Sequence, residues 1–202
     1  MNAWRTPATV RPLGRRWWLC ALLGLAGLTS PVAMAQAFEL NGEKALIAVT
    51  RDSQRTRIGS VFFQPAAAAG RTAFRVQIDP AVMRDYFLSM REFKCLPAAA
   101  EVSCFVPYPY RQPGTIGPND MAWLEHSLLF LIKQPADFGA KLWNGVIFQF
   151  TLTPQGLVGR PQAVDLNAIS APPDQLDTPP YGASDRTDFP PGARWVQELR
   201  IE

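Results

Sequence analysis

Apolar and polar residues alternate with a period of two along most of the chain beyond residue 43, the spacing of half-buried β-strands. "KALIAVTR" runs from Lys44 to Arg51 and ends in the polar Asp52-Ser53-Gln54. "RIGSVFFQP" and "TAFRVQID" continue the pattern on either side of the alanine-rich "AAAAGR", with Phe74, Val76 and Ile78 set against Arg75 and Gln77. A three-stranded meander is the natural reading. "DPAVMRDYFLSM" reads as a short helix over 79–90, because Asp79 is a good N-cap, Pro80 suits the first helical position, and Val82, Tyr86 and Met90 share a side. A hairpin follows, with strands at about 92–96 and 101–106.

Further on, "PYPYRQPGTIGPND" carries Pro107, Pro109, Pro113 and Pro118, each lacking a backbone donor, so it is an extended loop and not a central strand. "NDMAWLEHSLLFLIK" predicts a helical turn at 120–125 and a strand at 126–133. "GVIFQFTLTPQGLVGRPQAVDLN" is the clearest hairpin, with Val146, Phe148, Phe150 and Leu152 alternating before a Pro154-Gln155-Gly156 turn. Residues 168–202 read as a proline-rich wrap or tail that ends in a closing strand, "RWVQELRIE". The sum is roughly eight or nine short strands with one or two short helices and no strand-helix alternation. A mainly β fold follows: an antiparallel curved sheet or a small lipocalin-like barrel, since curling or closing a sheet deals with its exposed edges. A two-layer α+β domain is the alternative. A barrel would put a ligand cavity among Phe148, Phe150, Leu129 and Leu131.

The first residues change the picture of where this sheet works. Arg5, Arg11, Arg15 and Arg16 precede an apolar run from Trp17 to about Leu28, and Ala33-Met34-Ala35 offers small residues at the spacing of a cleavage site. The run is broken by Gly24, Gly27, Ser30 and Pro31 before the roughly 20 residues a membrane span needs. Residues 1–35 are therefore expected to be a removed signal peptide, the mature chain starting at Gln36, with no stable membrane span after its removal. Export by the twin-arginine route is weighed on Arg15-Arg16, and Cys20 is misplaced for a lipoprotein cysteine. Four of the 20 basic residues and none of the 17 acidic ones lie in this segment, leaving 16 against 17. The basic excess belongs to the leader, and "RDSQRTR" reads as a solvated turn, so nucleic acid is not an expected partner. Roughly 167 residues remain, enough for one β domain at 36–167 and the wrap that follows it.

Export gives the cysteines a role. Cys95 and Cys104 are the two that remain, in a compartment that oxidises thiols, and their spacing suits opposite positions on a hairpin. A disulfide is expected. Redox chemistry would want C-x-x-C, and a metal site would want ligands that a chain with one histidine does not offer, so neither a metal nor another cofactor is expected.

Catalytic constellations are scarce: there is no G-x-S-x-G elbow, no H-E-x-x-H and no phosphate-cradling glycine loop. His126 in "LEHSLLF" is the single imidazole and reads as a structural core residue. Two converging carboxylates would be needed for a hydrolase of unfamiliar type. The residues suited to recognition are aromatic: Tyr108 and Tyr110 on the proline loop, and Trp123 and Trp143 flanking the strand that follows. They predict a site for a small apolar ligand or another envelope component. The alternatives are rings that lid the core, and a scaffold without a pocket. "SMREFKCL", "CFVPYPY", "LLFL", "WNG" and "VDLN" together resemble small exported proteins of proteobacteria with no known activity. That resemblance implies a periplasmic or secreted location and carries over no catalytic residue.

Overall fold

The computed structural model describes residues 38–88 and 91–202, so the expected leader, its cleavage site and Ser89-Met90 lie outside the described residues. The strands are β1 (Gly42–Thr50), β2 (Arg55–Pro65), β3 (Thr72–Ile78), β4 (Arg84–Leu88), β5 (Arg91–Pro97) and β6 (Val102–Phe105). They continue as β7 (Thr115–Ile116), β8 (Phe130–Lys133), β9 (Gly145–Thr153), β10 (Gly156–Val164), β11 (Thr187–Asp188) and β12 (Val196–Ile201), with one helix, α1 (Ala122–His126), before β8. All twelve strands form one antiparallel sheet in the order β4-β5-β6-β8-β9-β10-β12-β1-β2-β3-β7, and β11 pairs with β10. The strands at the two ends, β4 and β7, do not pair, so the sheet is open and the closed barrel is not realised. Among the described residues no helix is long and apolar enough to cross a membrane.

Period-two alternation divides the core between the two faces of this sheet. Phe130, Ile132, Val146 and Phe148 from β8 and β9 meet Leu46, Ala48 and Ile58 from β1 and β2, which requires the sheet to curl over one face. Register shifts at Leu46/Ile47 and Val49/Thr50 in β1 are bulges of the kind that strengthen twist. Inside the curl, Phe148 borders a void of only about 10 Å³, so this face is a packed core. Phe148 and Phe150 belong to it, and Leu129 and Leu131 are buried on the opposite face. These four residues therefore belong to two separate apolar clusters on opposite faces of the sheet and do not line one common hollow.

The opposite face is covered on its β5-β6-β8-β9 half by Leu129, Leu131, Ile147, Phe93 and the two cysteines. Over them lie non-strand segments: the 106–110 loop, a 3-10 turn at Leu166–Ile169, and Tyr181. Cys95 and Cys104 stand directly opposite each other in the β5-β6 ladder and are bonded, S–S 2.04 Å, with both side chains fully buried.

The helix expected at 79–90 is a correction. Asp79 does start a turn, its carboxylate accepting from the Ala81 amide at 2.8 Å and its carbonyl from Met83 at 2.8 Å. The chain then extends, because the free edge of β5 takes up Arg84–Leu88 as β4, pairing Tyr86 with Phe93 and Leu88 with Arg91. A local capping signal lost to a sheet edge. His126 ends α1 and does not begin a strand, and β8 starts four residues later. The closing strand β12 lies within the sheet, between β10 and β1. Pro161 sits where the outer partner of β10 changes from β12 to β11, a gap in the ladder that tolerates its missing N–H. Gly156 has φ +141°, and a Cβ there would fall 2.3 Å from the Ile201 carbonyl oxygen, so β10 and β12 approach only because this position is glycine.

Candidate functional site

Prolines on both sides keep Tyr108 extended, and Leu129 O accepts from the Val106 amide to tie the loop to the sheet. Tyr108 is thereby buried, with its ring 5.6 Å from Tyr110 and 5.8 Å from Trp123. Three of the four expected recognition aromatics therefore come together. Trp143 does not join them: it is 64 % exposed on the 134–144 loop, where Phe138 is 93 % exposed.

Two residues that the sequence did not single out as recognition groups complete the cluster. His126 meets Tyr108 and Trp123 edge-on and stacks on Tyr181, ring centroids 5.4 Å apart at 18°. His126 is 0 % exposed. Its Nδ1 lies 2.7 Å from the Ala122 carbonyl, which can only accept, so the proton is on Nδ1. Its Nε2 lone pair then accepts the Tyr181 amide N–H at 3.1 Å. The ring is thus held neutral, and burial depresses its pKa to about 4, against the upward pull of the Ala122 carbonyl and aided by the Arg186 charge. With both nitrogens committed, no lone pair is left for a substrate proton.

One residue earlier in α1, Glu125 is also buried. Its Oε2 is 2.7 Å from Arg186 Nη1, the two side chains 7 % and 10 % exposed, and its Oε1 accepts the Phe150 amide at 2.9 Å. Arg186 turns two further donors to the Tyr181 carbonyl, Nη2 at 2.9 Å and Nε at 3.2 Å. The Tyr181 hydroxyl donates to the Asp165 carbonyl at 3.0 Å, and burial raises the pKa of that phenol so that it stays protonated. Helix α1, strand β9 and the 165–186 segment are therefore joined through satisfied, mostly buried polar groups.

Beside this cluster an apolar cleft of about 500 Å³ opens on the face that carries the disulfide. Leu88 and Phe93 from the β4-β5 hairpin form one wall, Ala140 and Leu142 a second, and Leu166 and Ile169 a third, with Tyr110 at the rim. The Tyr110 hydroxyl donates to the Ile169 carbonyl at 3.1 Å and fixes the rim to the third wall. Among the described residues no charged side chain lines the cleft. Two other depressions, about 460 and 610 Å³, differ in carrying charge, from Arg160, Asp188 and Arg194 in one and from Asp120 and Glu125 in the other. Among the described residues no three His, Cys, Asp or Glu side chains converge as metal ligands would.

The cleft residues lie on four separate segments, and Glu125 and Arg186 are 61 positions apart, so no local pattern joins them. One signal was present: Tyr181 follows Pro179-Pro180 much as Tyr108 and Tyr110 follow Pro107 and Pro109. Comparison with family models, curated proteins and solved structures gave no match.

Proposed function

We propose that this chain is an exported, non-enzymatic β protein that holds a small apolar ligand in the cleft between Phe93, Leu142 and Ile169. The observation that carries the reading is a cleft of about 500 Å³ lined, among the described residues, by apolar side chains, Tyr110 and Ser170 and by no charged one. That volume lies within the range of small-molecule sites, and its walls suit a ligand that buries hydrocarbon and asks for few polar contacts. The walls are held before any ligand arrives, by the Cys95–Cys104 bond behind one and the Tyr110–Ile169 hydrogen bond between another and the rim, which lowers the ordering cost of binding. Export supports the reading as well, since a buried disulfide is at home in an oxidising compartment. Enzymatic chemistry gains no support from His126, whose two nitrogens are used in holding the fold.

An uncharged fluorophore such as N-phenyl-1-naphthylamine is expected to bind saturably at one site. Ala140→Phe, which puts a ring into the cleft from a half-buried loop position, should weaken that binding at least tenfold. Binding that is indifferent to Ala140→Phe would refute the site. A second reading, docking of another envelope protein, is favoured by the exposure of Phe138 and Trp143. Their replacement by serine leaves probe binding unchanged if the cleft is the site, and removes it if the probe only reports exposed rings.

A further inference from the structure

We infer that residues 165–186 form an acid-released latch over the apolar cleft, held shut by the hydrogen bond from the Tyr181 amide to His126. The inference rests on the cleft being the ligand site, because the latch supplies one of its walls through Leu166 and Ile169. The segment leaves β10, makes this wall, passes four prolines at 172, 173, 179 and 180, and is caught again at Tyr181 and Arg186. The Tyr181 hydroxyl reaches back to the Asp165 carbonyl, so the far end of the segment braces its start. What happens at the Tyr181 amide is therefore felt at the wall.

Protonation of His126 would set an Nε2–H against the Tyr181 N–H, two donors at 3.1 Å with no acceptor between them. The neighbours supply no compensation. From the latch, Arg186 adds a like charge and Tyr181 a protonated phenol; from the proline loop, Tyr108 adds another phenol, whose pKa burial raises. From α1 the one carboxylate is Glu125, already engaged by Arg186 and by the Phe150 amide. Asp165 meets Tyr181 through its backbone carbonyl. A proton is thus accommodated by withdrawing Tyr181 and letting water reach the ring. The closed latch keeps His126 near pKa 4, whereas an opened, solvated ring returns towards 6.5. The closed form is consequently at full advantage above pH 6.5 and loses it as the pH falls towards 4. Opening should rise roughly tenfold per pH unit across that window, on the order of a hundredfold in all.

The test uses amide hydrogen exchange over residues 171–186 in the whole protein, corrected for the intrinsic pH dependence of exchange. It is combined with NMR titration of the imidazole, which is unambiguous because the chain has one histidine. Protection of this segment is expected to fall at least tenfold from pH 7.5 to pH 4.5 while the β9-β10 hairpin stays protected, with the imidazole neutral and protonated on Nδ1 at pH 7.5. His126→Gln, whose side-chain oxygen accepts from the Tyr181 amide at any pH, should abolish the pH dependence and so separate it from protonation of Glu125. Protection that is unchanged with pH overturns the latch, and so does a native-state imidazole titrating near 6.5; both are read on the wild-type protein and stand even if the variant fails to fold. N-phenyl-1-naphthylamine should be released over the same pH range. A protein that takes up no probe at pH 7.5 contradicts the ligand reading instead, and the exchange data still decide the latch.

Discussion

Replacing Arg186 by methionine should lower the unfolding free energy by about 3–5 kcal/mol, the usual cost of leaving one member of a buried ion pair without its partner. Glu125 would keep the Phe150 amide as a donor but lose the guanidinium, in a position where its side chain is 7 % exposed. The Tyr181 carbonyl would lose both of its donors from Arg186 as well. For a domain of this size the loss corresponds to a fall in midpoint of roughly 6–20 °C. The double variant Glu125→Gln with Arg186→Met should recover part of it, because glutamine carries no charge and still accepts from Phe150. Thermal unfolding of the two single variants and the double variant checks this. Additive losses would mean that the pair is not coupled and that Glu125 does not hold the 165–186 segment through Arg186.

Replacing Cys95 and Cys104 together by alanine should cost about 2–3 kcal/mol, from the loop-closure entropy that a bond of this span removes from the unfolded chain. The effect acts through the unfolded state, so the folded β5-β6 register, with position 95 opposite 104, should be retained. Calorimetry of the wild type with and without reductant gives an independent measure of the same quantity. Because both sulfurs are fully buried, reductant is expected to reach them only as the protein unfolds. Alkylation of the folded protein should find no thiol at position 95 or 104. Two reactive thiols there would refute the bond as the state in which the protein works.

The strands were legible wherever the alternation was strong and the partner was a sequence neighbour. Val146 to Leu152 with its return strand, and Glu92 to Leu96 with Glu101 to Val106, could be read directly, since a short connection and a one-sided apolar pattern fix a hairpin on their own. The cysteine pairing was legible for a different reason, an argument from compartment and elimination. β4 was not, because Asp79-Pro80 is a true local signal for a turn, and only the distant edge of β5 decides that Tyr86 and Leu88 extend. The curved antiparallel sheet was legible, but the choice between its open form and a closed barrel was not. Whether the two end strands of a long sheet meet depends on accumulated twist, and Phe148 and Phe150 look the same in sequence whether they line a hollow or fill it. His126 was readable as a core residue, but its partner Tyr181 lies 55 positions away in a proline-rich stretch without periodicity. Tyr108, Tyr110 and Trp123 were picked for their chemistry and do meet, yet only Tyr110 reaches the cleft.

That the cleft is a ligand site is tested most directly by native mass spectrometry of the protein recovered, without denaturation, from the cells that produce it. The wild type should carry the added mass of one small apolar molecule, and the Ala140→Phe protein isolated in the same way should have the bare polypeptide mass. A wild-type protein that emerges bare, and that fails to take up N-phenyl-1-naphthylamine at neutral pH, would contradict the account.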